Sequence, residues 1–291
     1  MNIENNIIYS DIAYTDHKVF WEDHIAKCSD IQSLFQYDID SRSEDLSFFT
    51  FTLDESTSSY ILKVCKNENL TLYIYMVSVY NILISKYRNA SVVAIGSPFY
   101  KSSTIKEKSD YILPIITEVN PESTFKQLLN QVKSSILNVY NYQDFPVLNV
   151  FKKLGIDDYK DFLDTVISIN DIHLNGDFSN VPLNINLVVN KGRISVTITE
   201  KYKISIDIKK LAEHFDCLIS SITNNFNLLI SELEYITEKE RKIILEDFNK
   251  TRKTFDKEKT ILDLFHEQVI NNPEKIAIIC GLNEITFSEL N

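Results

Sequence analysis

The sequence predicts an α+β fold, a mixed sheet with helices on one face, and three observations lead there. Apolar residues recur at helical spacing in segments near Thr71, Thr124 and Asp207; the hydrophobic period switches to two between Thr165 and Ile198; and the strands come in runs rather than in strict βαβ alternation. Of 291 residues, 44% are hydrophobic and 24% charged, the balance of a chain with a sizeable core. Five glycines and six prolines punctuate it, so long elements joined by short polar loops are expected, without repeats or low-complexity linkers.

The first helix is predicted to follow Thr71. Leu72, Tyr75, Met76, Val79, Tyr80 and Leu83 repeat at helical spacing while Ile74, Val77, Ile82 and Ile84 fill the other faces, so this helix is buried nearly all round. The run from Ser91 to Gly96 reads as a strand covered on both faces. Phe125, Leu128, Leu129, Val132, Ile136, Val139 and Tyr140 trace a half-buried helix behind the cap candidates Ser123 and Thr124. Val166 to Ile169, Leu183 to Val189 and Ile194 to Ile198 alternate as strands, and Asn190-Lys191-Gly192 turns the last two into a hairpin. Ile208, Leu211, Ala212, Phe215, Leu218, Ile219, Ile222 and Phe226 form one stripe of a long helix lying across that sheet.

Charged residues dominate from Leu233, which sets a boundary. Thr237 with Glu240, and Thr260 with Asp263, have capping-box spacing, so each opens a helix. Lys275 to Asn291 reads as a strand pair. The segments Asp38 to Leu46 and Lys101 to Asp110 are acidic and lysine-interrupted, as a solvated surface would be.

A net charge of -11 argues against nucleic acid as a partner, since phosphates need clustered Lys and Arg. No apolar run is long enough for a bilayer, and the opening residues have neither a basic nor a continuous apolar signal region, so no membrane partner and a cytoplasmic location are expected. Cys28, Cys65, Cys217 and Cys280 lie far apart and read as core or surface thiols rather than a zinc or redox site. Asp157, Asp158 and Asp161 read as a solvated acidic loop rather than metal ligands. No Gly-rich phosphate loop, HExxH or GxSxG is present.

Several short stretches resemble, in order, the motifs of a nonribosomal peptide synthetase. Tyr9-Ser10-Asp11-Ile12-Ala13-Tyr14 is similar to the YxDFAVW motif of condensation domains, followed by Phe20-Trp21 where the family has Tyr-Trp. Tyr142-Gln143-Asp144-Phe145-Pro146-Val147 resembles HQDYPFE; Tyr142 and Val147 depart, while Gln143, Asp144 and Pro146 stand. Residues 233–249 resemble the connector between condensation and adenylation domains, and Thr260 onward resembles an adenylation-domain entry, ending on Ile285-Thr286-Phe287-Ser288-Glu289-Leu290 at the LTYxEL motif with Thr286 and Glu289.

The resemblance implies a chloramphenicol acetyltransferase-like lobe, half of a condensation domain. Its implied organisation is a lead-in over 1–30, the carboxy-terminal lobe over 31–232, a connector over 233–259 and the start of an adenylation domain over 260–291. In the connector, Leu233, Ile236, Ile243, Ile244 and Phe248 are the domain-interface candidates, and the adenylation domain of the same polypeptide is the expected partner, with carrier domains or other synthetase subunits further candidates.

The family forms amide bonds with an HHxxxDG motif, whose second His handles the acceptor amine. None of His17, His24, His173, His214 or His266 sits in that context, and the segment from Ser109 to Ile115 lacks the Gly and Asn of the GxFVN(T) motif. His173 reads as a surface loop or strand-end residue, His214 as a solvated helix flank and His17 as a surface pair with Asp16. No catalytic residue and no metal is therefore assigned, and phosphopantetheine and ATP are expected only on neighbouring domains. The leading expectation is a non-catalytic, truncated condensation domain opening a synthetase module at Met1 and serving as a platform for the adenylation domain. The alternatives are one half of a split enzyme completed by an HHxxxDG lobe on another chain, or a fragment of an intact synthetase.

Overall fold

The structure, a computed structural model, describes residues 12–27, 37–101, 112–153, 163–176, 178, 181–251 and 258–291. In chain order these form α1 (Ile12–Ala26), β1 (Tyr37–Thr52), α2 (Glu55–Val64), α3 (Asn69–Arg88), β2 (Val92–Ser97), β3 (Leu113–Glu118), α4 (Phe125–Asn141), α5 (Leu148–Lys153), β4 (Thr165–Ile169), β5 (Leu183–Asn190), β6 (Arg193–Ile204) and α6 (Ile208–Asn224). A second unit, Glu238–Asn291, holds α7 (Glu238–Lys242), α8 (Ile261–Asn271), β7 (Ile276–Cys280), β8 (Asn283–Thr286) and α9 (Phe287–Leu290).

Six strands build one mixed sheet in the order β1-β6-β5-β4-β2-β3. The β2/β4 and β4/β5 pairs are parallel and the others antiparallel. Alternation sorts its side chains by face. Leu183, Ile185, Leu187, Ile194, Val196 and Ile198 are fully buried beneath the helices, while Asn184, Asn186, Thr197 and Thr199 between them are half-buried on the other face. The hairpin turns at Lys191 (φ 50°) and Gly192 (φ 75°), the paired positive φ values of a tight two-residue turn.

Helix α3 lies on β2 and β4, α6 on β1 and β6, and α4 on β3. All residues of α3 from Leu72 to Ile84 are buried, which is why its apolar positions fill every face. Helix α4 starts in a capping box between Thr124 and Gln127, and α6 is capped by Asp207, whose side chain accepts from the Lys209 N–H. Gly96 is required by close approach: a Cβ there would come within 2.6 Å of Ile112 Cγ2 and 2.8 Å of Val166 Cγ2.

Periodicity did not reveal β1, α1 or α2. Helix α1 joins the lobe's core through Trp21 and Ile25, both essentially unexposed, and Trp21 Nε1 donates to Tyr142 O at 2.9 Å. The Phe20 and Tyr142 rings lie 4.5 Å apart. Two motif fragments far apart in sequence thus touch. The backbone of 38–46 belongs to strand β1, which carries register shifts there, while 102–110 lies outside the described residues.

Candidate functional site

The face of the sheet away from α3 and α6 carries hydroxyls and amides. Thr50 and Thr197 hydroxyls hydrogen-bond at 2.9 Å, Thr52 and Ser195 at 2.8 Å, and Ser168 Oγ donates to Asn186 Oδ1 at 3.2 Å. Beside this ladder an open cleft of about 440 Å³ is lined by Ser168, Asn170, His173, Asn184, Asn186 and Lys201, among others. Asn184 Nδ2 donates to Phe178 O at 3.4 Å, and Asn184 Oδ1 is buried with no hydrogen-bond partner among the described residues. Leu174 and Phe178 add apolar surface, so the lining mixes neutral hydrogen-bonding groups, one lysine and apolar contacts.

His173 closes the inner wall of this cleft and is the residue most changed from its sequence reading. It is 1% exposed, not a surface residue. Its Nδ1 accepts the Ile169 N–H at 3.0 Å, so the imidazole proton sits on Nε2 and is donated to Tyr140 Oη at 2.7 Å. Tyr140 in turn donates to Ser97 Oγ at 2.8 Å, and Ser97 donates to Pro98 O at 2.9 Å. Tyr73, fully buried, sets its ring 4.5 Å from His173, edge to face. Burial, helped by the Lys101 charge, pushes the His173 pKa down to about 3, so the ring is neutral. Both its nitrogens are committed, and neither can take a proton from an attacking amine.

None of the other histidines lines the cleft. His24 is buried, donates from Nε2 to Pro114 O at 3.0 Å, and is pushed down to about 4 by burial. His214 is 6% exposed rather than a solvated flank: its Nδ1 lies 2.5 Å from Tyr87 Oη and its ring packs against Tyr235. His17 is half-buried with its ring edge-on to Tyr142 at 4.8 Å, not a surface pair. Periodicity places polar residues outward, and it misjudged these rings because each finds an aromatic neighbour inside. His266 is exposed in the second unit.

The motif positions divide by burial. Gln143 is buried; Asp144 and Pro146 are exposed; Tyr9 and Asp11 lie outside the described residues, as do Cys28, Asp157, Asp158 and Asp161. Thr286 and Glu289 cap α9 reciprocally, the Thr286 N–H donating to Glu289 Oε2 at 2.9 Å. Of the connector residues, Leu233 is buried in the first unit and Ile236 half-buried, its carbonyl accepting from Cys217 Sγ at 3.6 Å. Ile243 is half-buried in the second unit, while Ile244 and Phe248 are 41% and 74% exposed. Among the described residues no group of His, Cys, Asp and Glu could hold a metal, and no helix is long and apolar enough to cross a membrane.

Sequence reasoning placed Tyr140 on a helix stripe without its hydroxyl's role, and missed Tyr73, Ser97 and the cleft residues Asn184, Asn186 and Lys201. The signal for Asn184 and Asn186 was there, in the polar residues alternating with Leu183, Ile185 and Leu187.

A mixed six-stranded sheet with helices on one face is the fold of the chloramphenicol acetyltransferase-like class. Residues 5–245 match the condensation domain family, and the chain belongs to it. Gramicidin S synthase 2 of Brevibacillus brevis is 28% identical over 275 residues, covering 86% of this chain but 6% of that protein. Bacitracin synthase 1 of Bacillus licheniformis is 22% identical over 99% of this chain and 6% of its own length. The chain therefore spans a small fraction of these multidomain synthetases.

Solved structures share the fold. A holo four-domain nonribosomal peptide synthetase bound to AMP and glycine superposes with a TM-score of 0.73 at 12% identity, over 97% of this chain and 24% of that one. The first condensation domain of the calcium-dependent antibiotic synthetase, in complex with a substrate analogue, gives 0.61 at 12% identity over 80% of this chain and 56% of that one.

Proposed function

We propose that this chain performs no condensation by itself and serves as a structural platform for an adjoining adenylation domain of a nonribosomal peptide synthetase. The observation that carries the reading is the state of His173, the histidine at the cleft: both nitrogens are bonded and burial keeps it neutral. Amide formation needs a group that accepts the amine proton near neutral pH within hydrogen-bond reach. Here the cleft offers amides, hydroxyls and Lys201.

Platform service is supported by the connector. Its first residues belong to the lobe, with Leu233 at 2% exposure, whereas Ile244, Leu245 and Phe248 leave apolar surface for a partner. In the second unit Ile261, Ile270 and Leu282 are likewise exposed, as core residues of a larger domain would be, which fits the start of an adenylation domain. On this reading phosphopantetheine and ATP are held by neighbouring domains. In a polypeptide carrying lobe, connector and adenylation domain, Ile244→Asp should speed proteolytic cleavage between residues 233 and 260. Unchanged cleavage would leave the connector a mere tether.

A second reading, half of a split enzyme, is favoured by the cleft itself, which is open and lined by both hydrogen-bonding and apolar groups. Co-purification of a chain bearing HHxxxDG would select it.

A further inference from the structure

Gln143 stands in a family-like motif, yet it does not line the cleft. It is 5% exposed, and its amide grips one backbone unit from both sides. Gln143 Oε1 accepts the Tyr100 N–H at 2.9 Å, and Gln143 Nε2 donates to Tyr100 O at 3.3 Å. A side-chain amide here does what a neighbouring strand would do, presenting one acceptor and one donor to an extended residue.

What Tyr100 holds is the wall of the cleft. Tyr100 pairs with His173 in an isolated antiparallel bridge. Around that bridge the Lys101 N–H donates to Ile172 O at 2.8 Å, the Leu174 N–H to Phe99 O at 2.9 Å, and Lys101 Nζ to Asn170 O at 2.6 Å. Asn170, His173 and Leu174 all line the cleft. Behind the bridge the Tyr100 ring stacks on Tyr140 at 5.2 Å, and Tyr140 receives the His173 imidazole proton.

We infer that Gln143 is a positioning residue: it clamps the Phe99–Lys101 segment, which in turn fixes the Asn170–Leu174 wall, so the cleft is shaped in advance from the end of α4. The inference goes beyond the proposed function, because it concerns how the cleft is built whatever occupies it. Loss of the clamp should loosen one wall and leave the sheet and helices intact, since the other backbone partners of the Phe99–Lys101 segment, Asn170, Ile172 and Leu174, lie in the loop between β4 and β5.

Gln143→Met keeps the length and removes both bonds. In the whole chain, amide hydrogen exchange of Tyr100, Lys101 and Leu174 should then accelerate about tenfold or more, while amides of α3 and β5 keep their protection. The His173 imidazole gives a readout that general destabilisation would not move. By NMR it should stay neutral from pH 5 to 8 in the unaltered chain and begin to titrate in that range in the variant, as water reaches it past Lys101, Tyr73 and Tyr140. Asp144→Asn, at the exposed neighbour, should change neither. Should Gln143→Met fail to fold, exchange in the unaltered chain decides: Tyr100 and Leu174 should open in one local event with equal protection. Uniform loss of protection, an unmoved imidazole, or independent opening of the two amides would overturn the inference.

Discussion

His173 shows how much a single side chain can carry in this fold. It satisfies the Ile169 amide and the Tyr140 hydroxyl and fills space against Tyr73, so it is a structural pin. His173→Ala leaves the buried Ile169 N–H without this partner, takes one of two hydrogen bonds from the Tyr140 hydroxyl, which keeps Ser97, and opens a cavity, and should cost about 2–4 kcal/mol in urea denaturation. A loss of a few tenths would mean that the site is as solvated as the sequence alone suggested. His173 and His24 also set an acid dependence. Their folded pKa values, about 3 and about 4, lie below the unfolded value of 6.5, so the unfolded chain binds the extra protons between them. Stability is full above pH 6.5 and should fall as pH drops toward 4, by up to about 1.4 kcal/mol per pH unit for each histidine. A midpoint flat across that window would contradict the buried, neutral assignment.

Among the elements, β3 illustrates how an outer strand is made safe. Pro114 has no N–H to offer, its carbonyl is taken by His24 Nε2 at 3.0 Å, and the Ile116 carbonyl by Ser135 Oγ at 3.1 Å. The edge is thereby closed to strand addition. Replacing both His24 and Ser135 by Ala should raise concentration-dependent association, read by light scattering, while the far-ultraviolet circular dichroism stays that of the folded chain. No rise would show that the side chains are incidental to the edge. Elements of this kind also mark the limit of sequence reading. Helix α3 was legible from its long apolar run and strands β5 and β6 from their period of two, whereas β1 opens with Tyr37-Asp38-Ile39-Asp40-Ser41-Arg42, too charged to read as a strand. Helix α1 was hidden because its core contacts fall on Trp21, His24 and Ile25 rather than on a full stripe. The Gln143 motif was visible as a pattern, but its partner Tyr100 lies 43 residues away and no local spacing links them.

At the scale of the first unit, family and fold agree: a condensation-domain fold with a mixed sheet, an apolar face under α3, α4 and α6, and an opposite face that carries the cleft. The histidine at that cleft is spent on structure. The most direct test of the account is a condensation assay with aminoacyl and peptidyl carrier substrates, run on this chain alone and again with a separate HHxxxDG lobe. The account predicts no product above a boiled control in either case; product from the chain alone would contradict it outright, and product only with the added lobe would replace the platform with the split enzyme.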